Sequence, residues 1–140
     1  KSGVCMLGAK KQKGWLSDQS FAKKFGFEVV DTTDSGYELL ALSFDGKAPK
    51  FAPNVKNETI ESQDLTIYYD KQCPYIYQSI EKIKQYGEMN GIPLRLIEVN
   101  TLQKAKELPC VFNNWAVFYK GKFETVNLLD AAYLKRILNK

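Results

Sequence analysis

In "YYDKQCPYIYQS", residues 68–79, Cys73 stands between an aromatic run and a stretch of helical spacing, directly before Pro74. Proline suits the first position of a helix, where no backbone N–H is needed, so Cys73 is expected at a helix N-terminus. Unpaired N–H groups and the positive end of the helix dipole favour negative charge there, as a nucleophilic or ligand-sensing sulfur would carry. A cysteine at such a place also serves as a small hydrophobe, and both readings stand. The residue three positions on is Ile76, so the segment holds no second cysteine and no disulfide can form within it.

The other two cysteines are Cys110, after Pro109 in "ELPCVF", and Cys5. Cys5, in an apolar strand, reads as a core residue. An odd number of cysteines at scattered positions gives neither a disulfide framework nor a zinc pattern. Histidine is absent, which excludes a Ser/His/Asp triad, a Cys/His pair and every histidine-containing metal site. No metal is expected. Of the tyrosines near Cys73, Tyr68 and Tyr69 alternate to opposite faces of a strand, and Tyr75, at the helix start, is the better candidate for a ligand contact. Trp15 and Phe21 are candidates to line a pocket, against the plainer reading that both pack locally.

These residues need elements to hold them, and the chain has 140 residues, 44% of them hydrophobic and 13% aromatic, from which to build a core. The expected organisation is residues 1–44, a linker over 45–64 rich in proline and polar residues, and a domain over 65–140. In the first part "GVCML", "FEVVDT" and "YELLALSF" read as strands. "SDQSFAKKFG" reads as a short helix capped by Ser17 or Asp18 and stopped at Gly26. In the second, "LTIYY" is a strand, and Ile76, Tyr77, Ile80 and Ile83 mark a helix that the glycines at 87 and 91 should end. "PLRLIEV", the helix "TLQKAKE", a hairpin over 115–126 turning at Lys120 and Gly121, and an amphipathic helix over 130–138 complete it. The fold class expected is α/β (α+β), β-α-β-β followed by β-α-β-α-β-β-α, parallel at its start and antiparallel at its finish.

Net charge is +4, and "KKQK" at 10–13 is the one basic cluster, short enough to be a solvated turn, so nucleic-acid binding is not expected. No apolar stretch has membrane-spanning length, and the reading is of a soluble, cytoplasmic protein. The first residue is Lys rather than Met, which suggests a sequence cut from something longer.

Two family resemblances follow from these segments. "CPYI" after a strand resembles the active-site segment of thioredoxins and glutaredoxins, usually CxxC or CxxS, and the element order over 65–140 is similar to theirs. That resemblance implies a cis-proline before the third strand, facing the cysteine. Pro109 is its candidate, with a weak substrate-binding role, although it lies twelve residues before Gly121, more than the family pattern allows; the same resemblance makes Cys110, which follows it, a weak candidate second thiol for Cys73. "FAKKFGFEVVDTTDSGYELLAL", 21–42, resembles the C-terminal half of the GNAT acetyltransferase fold. The whole arrangement is similar to bacterial GNAT proteins that carry a C-terminal YoaP-type, thioredoxin-like domain.

The resemblance implies a parent protein that moves an acetyl group from acetyl-CoA to an amine. This chain departs from the pattern twice. It lacks the Q/R-x-x-G-x-G/A loop that holds the pyrophosphate of acetyl-CoA, and Ala22 stands where many family members place a tyrosine that protonates the leaving thiolate. The chain alone is therefore expected to be inactive and to bind no cofactor. Its expected partner is a missing N-terminal GNAT half or a second copy of itself. The rival function is a non-enzymatic binding or monothiol redox module that presents Cys73.

Overall fold

The computed structural model describes all residues except Gln12, Gly14 and Trp15. The chain divides into two compact units, Lys1–Lys56 and Asn57–Lys140, and among the described residues the secondary structure is a mixed α+β set of two sheets and four α-helices.

The first unit holds β1 (Gly3–Ala9), α1 (Gln19–Lys23), β2 (Glu28–Thr32) and β3 (Tyr37–Ser43). Asp18 starts α1 by accepting a hydrogen bond from the Ser20 amide at 2.9 Å, and Gly26, with φ of 85°, turns the chain into β2. The sheet is antiparallel in the order β1-β3-β2, so β3 is central and β1 lies at an edge. Leu40, fully buried on β3, shares its face with Met6 of β1 and Val29 of β2.

The segment after β3, expected as part of a linker, is clipped to β2 by one carboxylate. Asp31 accepts from the Phe51 amide at 2.8 Å and from the Lys56 ammonium at 2.7 Å, at the bulge where the β2–β3 register shifts. Lys56, then the Phe51 amide, hold the Asp31 carboxyl below its ordinary 3.8. A depressed carboxylate stabilises the fold above its unfolded pKa, and this support is lost as pH falls through the lowered folded value. Asp31→Ala should therefore speed hydrogen exchange at the Phe51 amide at neutral pH. The wild type should show the same loosening only in acid below the ordinary carboxylate range. Unchanged exchange in the variant would show that the clip holds nothing.

In the second unit the order is β4 (Leu65–Tyr69), α2 (Pro74–Asn90), β5 (Leu94–Glu98), α3 (Leu102–Glu107), β6 (Trp115–Tyr119), β7 (Lys122–Thr125) and α4 (Ala131–Leu138). The sheet runs β5-β4-β6-β7, with β4 parallel to β5 and antiparallel to β6. Residues 58–63, also within the expected linker, bond to this unit: the Ile60 amide reaches the Gly121 carbonyl and the Phe123 amide the Glu58 carbonyl, at 2.9 and 3.0 Å.

Strand alternation sorts the core into two layers. Leu65, Ile67, Tyr69, Trp115 and Val117 face α2 and α4, where Ile76, Ile80, Ile83, Leu134 and Ile137 meet them. Ala116, Phe118 and Tyr68 face the other way, onto Val99, Leu108 and Cys110. The indole N–H of Trp115 donates to the Asn127 carbonyl at 2.9 Å, so its burial leaves no polar group unpaired.

Two boundaries differ from the sequence reading or sharpen it. Gly87 does not end α2; it is buried inside the helix and its carbonyl accepts from the Gly91 and Ile92 amides. A helical glycine costs only about 1 kcal/mol, too little to stop a packed helix. The stop comes at Gly91, whose φ of 61° is left-handed. In the β6–β7 hairpin both turn residues, Lys120 and Gly121, have positive φ, as a two-residue turn between twisted strands requires.

Candidate functional site

Cys73 is placed by the end of β4 and the start of α2. The Asp70 amide donates to the Asn114 carbonyl at 3.0 Å and its side chain accepts from the Gln72 amide at 2.9 Å, which shapes the turn. Cys73 is the N-cap of α2, with extended backbone and no side-chain cap bond, and Pro74 begins the helix. The thiol is half-buried and packs against the α2/α4 layer. Lys71 beside it pairs with Glu98 at 3.2 Å, and that pairing holds the Lys71 ammonium above its ordinary value. Tyr75 is 71% exposed, open to a ligand.

Cys110 lies elsewhere. It is buried in the layer on the α3 side, and its Sγ donates to the Phe112 carbonyl at 3.2 Å. Burial pushes its thiol up to about 12, against the lowering effect of that hydrogen bond. The two thiols belong to opposite faces of one sheet, so the structure does not bring them together. Pro109 follows a trans bond, since no peptide bond among the described residues is cis. It lines a cavity of about 260 Å³ with Tyr68, Ile97, Val99 and Leu108, on the side away from Cys73. Tyr68 on that cavity has its hydroxyl shifted above the ordinary value, mainly by burial. A second, more polar hollow of about 450 Å³ opens at the C-terminal ends of β4 and β5, between Asp70, Gln72, Glu98, Asn100, Thr101 and Asn113.

In the first unit Cys5 is exposed, which corrects its reading as a core residue. It lies in the first half of the edge strand β1, whose residues are exposed, whereas Gly8 and Ala9 at the other end are buried. A groove of about 330 Å³ runs there, lined by Val4, Cys5, Ala41, Leu42, Ala48 and Pro49. Phe21 is 57% exposed, its ring centroid 5.4 Å from that of Phe25. Trp15, its proposed companion in a pocket, lies outside the described residues. Lys13 of the basic cluster is held within the unit, its ammonium bonded to the Ser35 carbonyl and 4.4 Å from the Tyr37 ring centre.

One group escaped the sequence reading. Glu38, at the start of β3, is 5% exposed, and among the described residues its Oε2 has no hydrogen-bond partner. The signal was present: in "YELLALSF" the alternation places Glu38 on the face of Leu40, an inward position.

No solved structure matches the chain. Residues 93–136, from the start of β5 into α4, match the YoaP-like family. Over 139 residues, 98% of its length, the chain is 29% identical to a protein of Bacillus subtilis (strain 168) named an uncharacterized N-acetyltransferase, YoaP. It spans 55% of that relative, about half. The chain is thus similar to YoaP-like proteins and to one relative named an N-acetyltransferase.

Proposed function

We propose that this chain is the C-terminal portion of a GNAT-like N-acetyltransferase, one that transfers an acetyl group from acetyl-CoA to an amine, joined to a thioredoxin-like unit. The observation that carries the reading is the likeness to a protein named an N-acetyltransferase along nearly the whole chain and about half of that relative. Strand orientations in the second unit, parallel between β4 and β5 and antiparallel afterwards, support the thioredoxin-like part. The partner in this reading is the N-terminal half of the same fold, which would supply the pyrophosphate loop and lie along the edge of β1. The uncharged, apolar strand "GVCMLGA" and the groove beside it support that placement.

The isolated chain should bind acetyl-CoA weakly or not at all, because no run of its residues supplies the N–H cradle that a pyrophosphate needs. Calorimetric titration checks this, and micromolar affinity would overturn it. The activity itself is tested on a protein extended upstream through a Q/R-x-x-G-x-G loop, with release of CoA thiol measured over a panel of amines. Absence of such a reading frame, or of acetyl transfer by its product, would leave the second reading. That reading is a binding or monothiol module, favoured by the uncapped, half-exposed Cys73 at the head of α2.

A further inference from the structure

On the face of the second sheet turned away from Cys73, the ring of Tyr68 is held but its hydroxyl is not. The ring meets Phe118 edge-on in the smaller core layer, with 5.6 Å between centroids. The hydroxyl makes no hydrogen bond among the described residues. Tyr68 lines the cavity of about 260 Å³ whose apolar walls are Ile97, Val99, Leu108 and Pro109. Lys104 and Glu107, both exposed, complete the lining and form its open side.

Burial, reinforced by Cys110, holds the Tyr68 hydroxyl above its ordinary 10.0, so it keeps its proton and is a donor at neutral pH. A free donor among apolar walls is how a small-molecule pocket fixes a ligand's polar end. The charges beside it favour an anion. Register pairs Tyr68 with Ile97 and Thr66 with Arg95, which sets Arg95 on the cavity face of β5, next to Ile97. Its guanidinium is close enough to lower the Tyr68 hydroxyl against the effect of burial, and among the described residues it has no ion pair. Lys104 adds a second cation, bonded to Asn100 at 3.0 Å, while the Glu107 carboxylate accepts from the Gln103 amide.

We propose that this cavity binds a small monocarboxylate, its apolar body against Ile97, Val99, Leu108 and Pro109 and its carboxylate accepting from the Tyr68 hydroxyl beside the Arg95 guanidinium. The volume lies below the roughly 300 Å³ at which pockets for drug-sized ligands begin, so the occupant has few atoms. A phosphate would bring more charge and more acceptor oxygens than one hydroxyl and one guanidinium can meet, and it has no body for the apolar walls. The site uses neither Cys73 nor an acetyl group and is independent of the acetyltransferase reading.

The test titrates the full chain with sodium benzoate, and with benzamide as its uncharged counterpart, while NMR follows the methyl resonances of Ile97, Val99 and Leu108. Benzoate should shift these resonances saturably and bind about tenfold more tightly than benzamide, because a charged acceptor makes the stronger hydrogen bond. Tyr68→Phe, which keeps the ring on Phe118, should weaken benzoate binding by about tenfold or more. Arg95→Gln, at an exposed position, should weaken benzoate about threefold and leave benzamide unchanged. Unmoved methyl resonances, equal affinity for the two probes, or a benzoate affinity unchanged in either variant would each overturn the proposal. Should Tyr68→Phe fail to fold, Arg95→Gln and the comparison of the two probes decide.

Discussion

Phe118→Ala should destabilise the second unit by about 3–5 kcal/mol, the range for truncating a large aromatic in a packed core. Phe118 is fully buried on β6, an interior strand of the sheet, and its ring meets those of Tyr68 and Phe123 edge-on, with centroids 5.6 Å away in both cases. Truncation removes both edge contacts and leaves a cavity that strands held by ladder hydrogen bonds cannot close. The layer it anchors is the smaller of the two, centred on Val99, Leu108, Cys110, Ala116 and Phe118, so few neighbours can move in. Urea unfolding followed by circular dichroism measures the loss. A change under about 1 kcal/mol would mean that this layer relaxes around the cavity and that the α2/α4 layer alone carries the unit.

The second large effect is chemical. Cys110 should be alkylated at least about a thousandfold more slowly than an ordinary thiol at pH 8, since a rise from 9.0 to about 12 lowers its thiolate fraction by that factor. Burial adds a further barrier, because the reagent reaches the sulfur only when the layer opens. Cys5 and Cys73, exposed and half-buried, should label in the native protein while Cys110 labels only in denaturant. Mass spectrometry after timed iodoacetamide treatment reads all three. Native labelling of Cys110 at the rate of Cys73 would refute both the burial and its consequence for function. If Cys110 is protected, it cannot resolve a mixed disulfide on Cys73, and the chain should reduce insulin no better than a Cys73→Ser variant. The raised thiol also stabilises the fold at low and neutral pH. Its contribution is complete below the unfolded value near 9 and is lost as pH climbs toward 12, where the buried sulfur must also ionise.

How far the sequence alone could be read is clearest at individual residues. Local signals sufficed wherever a few neighbouring side chains decide the backbone. Asp18 caps α1, Pro74 opens α2, Gly91 closes it, and Lys120 and Gly121 turn the hairpin, each through its own φ or its own hydrogen bond. Period-two alternation separated Tyr68 from Tyr69, because a pleated strand must send them to opposite faces. Tertiary structure decided whatever depended on which strand sits beside which. Cys5 is exposed because it lies in the first half of β1, which the fold leaves uncovered, while Ala9 on the same strand and face is buried, and nothing within "GVCML" marks which end is covered. Cys73 and Cys110 are parted because the sheet lies between their layers, a separation that spacing along the chain does not encode. Residues 45–64 lack hydrophobic periodicity, yet Asp31 holds Phe51 and Lys56, and the backbone of the β6–β7 hairpin holds residues 58–63, through hydrogen bonds to partners distant in sequence. Glu38 stands between the two cases: alternation points it inward, but only the folded sheet shows that its Oε2 is left without a hydrogen-bond partner among the described residues.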